Sequence, residues 1–277
     1  MSIHTNMDSV RNYNIFNQNQ AAASKAMSHA TTGLKIASVA DGPASWAVSE
    51  KMRERINSLN QASQNIQNDN AMAKTASDGI ANTVEILRSL KARVLQGADA
   101  AANETDRGVL ATEINQLLKQ IDDNRDNVKY NGKALLDGSV SGETGLTFQV
   151  GEASGMTINL SIESLGAKTL LTIESVKESM MSSSTAAKTL ISNIDSAIKK
   201  ALEAATEVGS LQNRLGYTAD NVNAQIENLQ ASDSAIRDAD MAKEISDYLK
   251  WNVLSQASQY MLAQSNQNAF AALNLLQ

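Results

Sequence analysis

Residues 38–52, SVADGPASWAVSEKM, hold the single proline of the chain, Pro43, and one of its two tryptophans, Trp46. Proline is tolerated in the first turn of a helix, where its missing N–H has no partner anyway. It pushes the residue before it, Gly42, away from helical geometry. Either Asp41 or Gly42 can then serve as the N-cap, and Asp41 also favours the positive end of the helix dipole. The stretch therefore reads as a joint. An N-terminal helical arm over residues 5–34 ends in a short extended spoke, and a long helix restarts at Ala44. Asp41, Gly42, Pro43 and Trp46 carry that joint.

Downstream, Leu59, Ile66, Ala73, Ile80, Leu87 and Val94 fall seven residues apart without a slip. A sustained spacing of seven is a packing seam between helices. The helix it predicts, about 44–96, would span roughly 80 Å at the rise of an α-helix. The flanking seam positions Ala62, Asp69, Ala76, Thr83 and Leu90 are irregular, which suits a bundle helix better than a two-stranded coiled coil. A second helix is expected over 105–128, with Leu110, Ile114, Leu117, Leu118 and Ile121 on one face. Asn131-Gly132 and Asp137-Gly138 are turn dipeptides. The period then changes to two. Leu146, Phe148 and Val150, and then Met156, Ile158, Leu160 and Ile162, alternate with polar residues on either side of a Gly-bearing loop, predicting a β-hairpin. Residues 163–184 mix helix and loop cues. From about 185 to 229 a second very long helix follows, in which Leu215, Val222, Leu229 and Ile236 again repeat at seven. Two such helices most simply run antiparallel, with helix 105–128 as a third member.

The ends differ in kind. Residues 12–24 and 251–277 carry no charged side chain. Ile3, Met7, Val10, Ile15 and Phe16 at one end, and Leu254, Met261, Leu262, Phe270, Leu273 and Leu276 at the other, are too many apolar groups to leave in water. Burying each large side chain is worth about 1.5–3 kcal/mol. An uncharged surface meeting identical copies avoids like-charge repulsion and desolvated ions. These residues are expected to be the core of a self-association device, covered by sister molecules and not within a lone copy.

Composition narrows the function. Only 4% of residues are aromatic, the net charge is −6 and there is no cysteine. The chain has no basic footprint for nucleic acid, no apolar run long enough for a membrane span and no means of thiol chemistry. Its first twenty residues lack the pattern of a cleavable signal peptide. Asp238 and Asp240 match no metal-binding loop and read as a helix cap or solvated face. His4 and His29 have no nucleophile and acid arranged around them, so no enzyme, cofactor or metal is expected. Trp46 and Trp251 read equally as anchors flanking the joint and as ordinary bundle packing.

The run TTGLKIASVADGPASWAVSEKMRERI, residues 31–56, resembles the N-terminal signature of bacterial flagellin. FQVGEASGMTINLSI is similar to the flagellin hairpin, and NLQASDSAIRDADMAKEISDYLKWNVLSQASQYMLAQSNQ resembles its C-terminal signature closely. The resemblance covers about 1–162 and 185–277, leaving some twenty residues where large flagellins insert outer domains. It departs at Gly42, Pro43, Ser45 and Trp46 in the spoke, where the family's usual run is Asp-Asp-Ala-Ala-Gly-Leu, and Ala30 replaces a leucine.

The resemblance implies a fold that is mainly α: an antiparallel bundle over 44–235 with a hairpin near 145–162, and paired helical arms over 1–43 and 236–277. It implies a secreted, extracellular subunit, exported unfolded through the flagellar type III apparatus and polymerising under a cap into the flagellar filament. Its arms are implied to be disordered in the free monomer. Implied partners are its own copies, the filament cap and hook-associated proteins, and an export chaperone on 251–277. A hook–filament junction protein of the same family is the alternative. A cytoplasmic signalling bundle would show charged, regular tips and no β insert.

Many flagellins present a helical stretch to an animal innate immune receptor. The aligned residues here carry Ser89 in place of an arginine and Arg93 in place of a leucine, with Glu113 retained, which implies weak or silent activation. Family members are commonly glycosylated on exposed serines, for which Ser139, Ser141, Ser182, Ser183 and Ser184 are the counterparts.

Overall fold

The computed structural model describes residues 6–99, 101–142, 145–171, 175–177, 179–182 and 184–274. Among these the chain forms α1 (Met7–Thr32), a 3-10 turn (Val39–Asp41), α2 (Pro43–Gly97), α3 (Glu104–Asn127), β1 (Lys129–Tyr130), β2 (Lys133–Ala134), β3 (Leu146–Gln149), β4 (Thr157–Leu160), α4 (Ala167–Leu171), α5 (Ser179–Ser182), α6 (Ser184–Arg237) and α7 (Met241–Asn274). The chain divides into two compact units. One comprises Met1–Ile56 with Glu227–Gln277, and the other Asn57–Ile226. The boundaries fall inside α2 and α6 and not at Pro43, because the first turns of α2 and the last turns of α6 are tied to each other and to the spoke. Ser49 donates to Asp233, and Arg237 reaches Glu50 at 3.0 Å.

The unit Asn57–Ile226 is a helical bundle. Leu59, Ile66, Ala73, Ile80, Leu87 and Val94 are at most 2% exposed, so the sevenfold series of α2 is a core seam. In α6 the series continues toward the N-terminus through Ala187, Ile194, Ala201 and Val208, all buried with Leu215 and Val222. Direction follows from the polar pairs at the margins. Ser63 meets Asn223 and Lys91 meets Asp195, so partner numbers fall as α2 advances and the helices run antiparallel. α3 runs antiparallel to α2 by the same test, since Asn124 reaches Gly79 and Thr83 while Arg93 meets Glu113. Asn124 is buried, yet its amide donates to the Gly79 carbonyl at 2.9 Å and to Thr83 Oγ1 at 2.8 Å, and its oxygen accepts from Asn82. A buried amide so satisfied costs little and fixes the axial position of α3.

The β elements form two separate two-stranded sheets. β3 pairs antiparallel with β4, Phe148 opposite Ile158, and both of these side chains are buried. A smaller hairpin, β1 with β2, is turned by Asn131 and Gly132 at φ 48 and 79, the signature of a type I′ turn. The ambiguous stretch after β4 is held against α3. Asp122 accepts from the Ala167 N–H at the start of α4, and Asn115 exchanges two hydrogen bonds with the backbone of Val176.

Candidate assembly surface of the terminal helices

In the unit formed by the two chain ends, α1 and α7 pack antiparallel on each other. Asn6 caps α1 through a bond from the Ser9 N–H, and Gly33, in the left-handed conformation at φ 70, ends it. Asp240 caps α7: its side chain accepts from the backbone of Ala242 and Lys243, and its carbonyl accepts from the Glu244 N–H. Asp238 accepts from Ser234, so both aspartates of the RDAD run serve local backbone and hydroxyl partners. The spoke is only partly extended. Leu34 bridges Asp238, Lys35 N–H donates to the Arg237 carbonyl at 2.7 Å, and Ala239 N–H donates to the Gly33 carbonyl at 2.9 Å. The chain then makes the 3-10 turn.

That turn decides which residue caps α2. Asp41 accepts from the Ser38 N–H and hydroxyl and pairs with Lys25 at 3.0 Å. The hydrogen bond from Lys25 holds its carboxyl well below the usual carboxylate range. It is Gly42 whose carbonyl accepts from the Trp46 N–H, and Pro43 is the first residue of α2. Of the two cap residues open in the sequence, Gly42 is the one used. Buried His29 lies between this turn and α7, with Nδ1 3.4 Å from Glu244 and Nε2 3.8 Å from Asp41. Trp46 is half-buried at the start of α2, and Trp251 is half-buried in α7 with the Lys250 ammonium 4.6 Å from its ring centroid.

The interface between the arms also follows a spacing of seven. Ser9, Phe16, Ala23 and Ala30, with Asn12, Asn19 and Ala26 and beside them Ala22 and His29, are the buried or half-buried positions of α1. They face Glu244, Trp251, Ser258 and Ser265, with Tyr248, Ser255 and Leu262, on α7. Most of these are small or polar. Apart from Phe16, Tyr248, Trp251 and Leu262, the large apolar residues point the other way. Tyr260 is 77% exposed, Phe270 68%, Met7 65% and Val253 65%, and Val10, Tyr13, Ile15, Ile245, Leu249, Leu254 and Met261 are exposed with them. Most large apolar groups of the pair are thus outside, while its inner seam is filled largely by small and hydrogen-bonding side chains.

The expectation that neither end is covered within one chain is corrected here. Phe16, Trp251 and Leu262 are half-buried where the two arms pack on each other. Met7, Val10, Ile15, Leu254, Met261 and Phe270 are not shielded. Ile3 and Leu276 lie outside the described residues, and Leu273 stands in the last turn of α7 with its side chain outside them.

The remaining sites lie in the bundle unit. Arg93 Nε meets Glu113 at 2.8 Å, and Ser89 is exposed one turn before Arg93 on α2. Ser139 is exposed and donates to Asp137, whereas Ser141 is half-buried and donates to the Gly138 carbonyl. Ser182 ends α5 and Ser184 opens α6, their side chains outside the described residues, as is Ser183 altogether.

A helical bundle whose two chain ends are zipped into one apolar-faced arm defines a self-associating structural subunit. Residues 3–141 match the family model for the bacterial flagellin N-terminal helical region and 191–276 that for its C-terminal helical region, so the chain belongs to the bacterial flagellin family. It is 34% identical over 276 residues to a flagellin of Halalkalibacterium halodurans and 35% identical over 303 residues to a flagellin of Bacillus subtilis, each aligned over 100% of both chains. A solved structure of a flagellar hook-associated protein from Vibrio parahaemolyticus shares the fold. It has a TM-score of 0.60 and 16% identity, and the match covers 72% of this chain and 100% of that one.

Proposed function

We propose that this chain is a structural subunit that polymerises with its own copies into the flagellar filament. The observation that carries the reading is the outward apolar face of the α1–α7 pair. An arm already zipped along its inner side still presents Met7, Tyr260, Met261 and Phe270 to solvent, and only further chains can cover them. Family membership supports export through the flagellar type III apparatus, addition under the filament cap and residence outside the cell. It likewise supports an export chaperone acting on the uncharged end of α7, and hook-associated proteins as neighbours in the assembly. Among the described residues no helix is long and apolar enough to cross a membrane. Ser89 and the paired Arg93–Glu113 support weak or silent engagement of an animal receptor. Ser139 is the most accessible of the serines proposed for glycosylation whose side chains the structure describes.

The full-length flagellin relatives favour the filament subunit over the hook–filament junction. Electron microscopy separates the two, since a filament subunit forms long tubes of uniform width from purified protein. Deleting 251–277 is expected to leave a soluble, largely helical monomer that does not elongate such tubes. Normal polymerisation of the truncated chain would overturn the reading.

A further inference from the structure

We propose that Asn19 and Ser258 are positioning residues that set the register in which α1 and α7 zip together. Both are among the few buried polar side chains of their unit. The Asn19 amide donates to Ser258 Oγ at 2.9 Å and to the Leu254 carbonyl at 3.3 Å, and the Ser258 hydroxyl donates onward to the same carbonyl at 2.7 Å. The three groups close on one another in a single register.

The rest of the interface has little power to choose. Residues 12–24 and 251–277 contain no charge, so no ion pair locks these stretches. Ala23, Ala26 and Ala30 on α1, and Ser255, Ser258 and Ser265 on α7, recur at heptad spacing and present similar surfaces after a slip. The bridge between Leu34 and Asp238 fixes the joint end alone. The bonds of Asn6 and Ser9 to Ser265 and Asn266 lie near the far end and are exposed or half-exposed. A slip that carries Asn19 onto Leu262 or Trp251 buries its amide without a partner. A slip that reseats it on Ser265 takes His29 from Glu244 to Trp251. One buried polar side chain in a heptad interface is a known means of fixing register. Register in turn decides which outward residues of the two arms stand side by side, and that consequence rests on the assembly reading above.

The test uses the full chain, which has no native cysteine. Ser9→Cys with Asn266→Cys joins positions whose side chains are now 2.9 Å apart, and Ser9→Cys with Gln259→Cys joins positions seven residues out of register. Oxidation of mixed isotope-labelled and unlabelled protein, read by mass spectrometry, tells crosslinks within a chain from those between chains. The in-register pair is expected to form within one chain and to exceed the slipped pair by about tenfold, and Asn19→Leu or Ser258→Ala should erode most of that ratio. Loss of helix lowers both yields together, whereas a slip exchanges one for the other. An unchanged ratio in both variants, or in-register crosslinks only between chains, overturns the proposal. Filament formation scored separately by microscopy reports on the assembly reading, which can fail while the ratio holds.

Discussion

The bundle and the arms of this chain are built on the same interval and filled with opposite chemistry. In α2, the positions seven apart are Leu59, Ile66, Ala73, Ile80, Leu87 and Val94, buried to within 2%. In α1 and α7 the corresponding inward positions include Ser9, Asn12, Asn19, Ser255, Ser258 and Ser265, while Tyr260 and Met7 face outward. Heptad spacing sets which side chains meet; it does not say whether the seam is the hydrophobic side. The bundle draws its stability from its own seam. The arm leaves most of its apolar surface exposed and holds its two helices together through amides and hydroxyls along with Phe16, Trp251 and Leu262.

The sharpest way to break this contrast is to truncate one large side chain in each region. Leu87→Ala removes a fully buried leucine and is expected to lower the unfolding free energy of the bundle by about 2–5 kcal/mol. Tyr260→Ala removes a side chain that is 77% exposed and should leave monomer unfolding within about 0.5 kcal/mol, while raising the critical concentration for polymerisation. Denaturant titration and sedimentation measure the two quantities. Equal destabilisation by both would mean that the arm buries its apolar side within one chain after all.

A smaller effect tests how tightly the bundle is filled. A Cβ built on Gly79 would lie 2.8 and 2.9 Å from the two methyls of Val128 and 3.0 Å from Leu136. Rotating Val128 cannot clear both contacts. Gly79→Ala gains helix propensity but forces α2 away from the chain at the end of α3, where Asn124 holds the Gly79 carbonyl. The expected net cost is about 1–3 kcal/mol by thermal or chemical unfolding. No such penalty is expected for alanine at Gly209 or Gly216, where a Cβ meets nothing within 4 Å.

Much of this was legible in the residues. Apolar spacing located α2 and α3 to within a residue or two, and the Gly-bearing loop located β3 and β4, because those elements bury large side chains at a recognisable period. What escaped had a different physical origin. The upper half of the α6 seam alternates Ala187 and Ala201 with Ile194 and Val208, and alanine carries too little hydrophobic signal to be counted. β1 and β2 are two residues each, too short to show a period, and only Asn131-Gly132 betrays them. The strap through Leu165, Leu170 and Val176 is fixed by Asn115 and Asp122 on α3, contacts remote in sequence. The stretches 12–24 and 251–277 were read as uncharged with apolar residues left over, and Val253, Leu254, Tyr260, Met261 and Phe270 are exposed there. The inner seam of the arm was missed because a search for apolar heptads passes over asparagine and serine, and the burial of Asn19 needs a partner 239 positions away.

The faintest departure from the contrast lies inside the bundle seam itself. Asp69 stands at one of the flanking positions of the α2 series, between Ala62 and Ala76, where its neighbours are apolar. Its Oδ2 is buried with no hydrogen-bond partner, and burial pushes its carboxyl up from 3.8 to about 6. A carboxyl raised in the fold binds its proton more tightly there than in the unfolded chain. The stability it confers is therefore complete below pH 4 and is lost as pH rises through about 6, with nothing further lost above. Asp41 and Asp137, held below their ordinary range by Lys25 and Ser139, work in the opposite sense, losing stability as pH falls below about 4. Comparison with Asp69→Asn isolates the first effect. The asparagine variant should show no fall between pH 4 and 6 and should be more stable at pH 7 by on the order of 1 kcal/mol, discounted for partial solvent access. Parallel pH–stability curves for the two proteins would show that water reaches Asp69 freely, and that the bundle seam is open at this point.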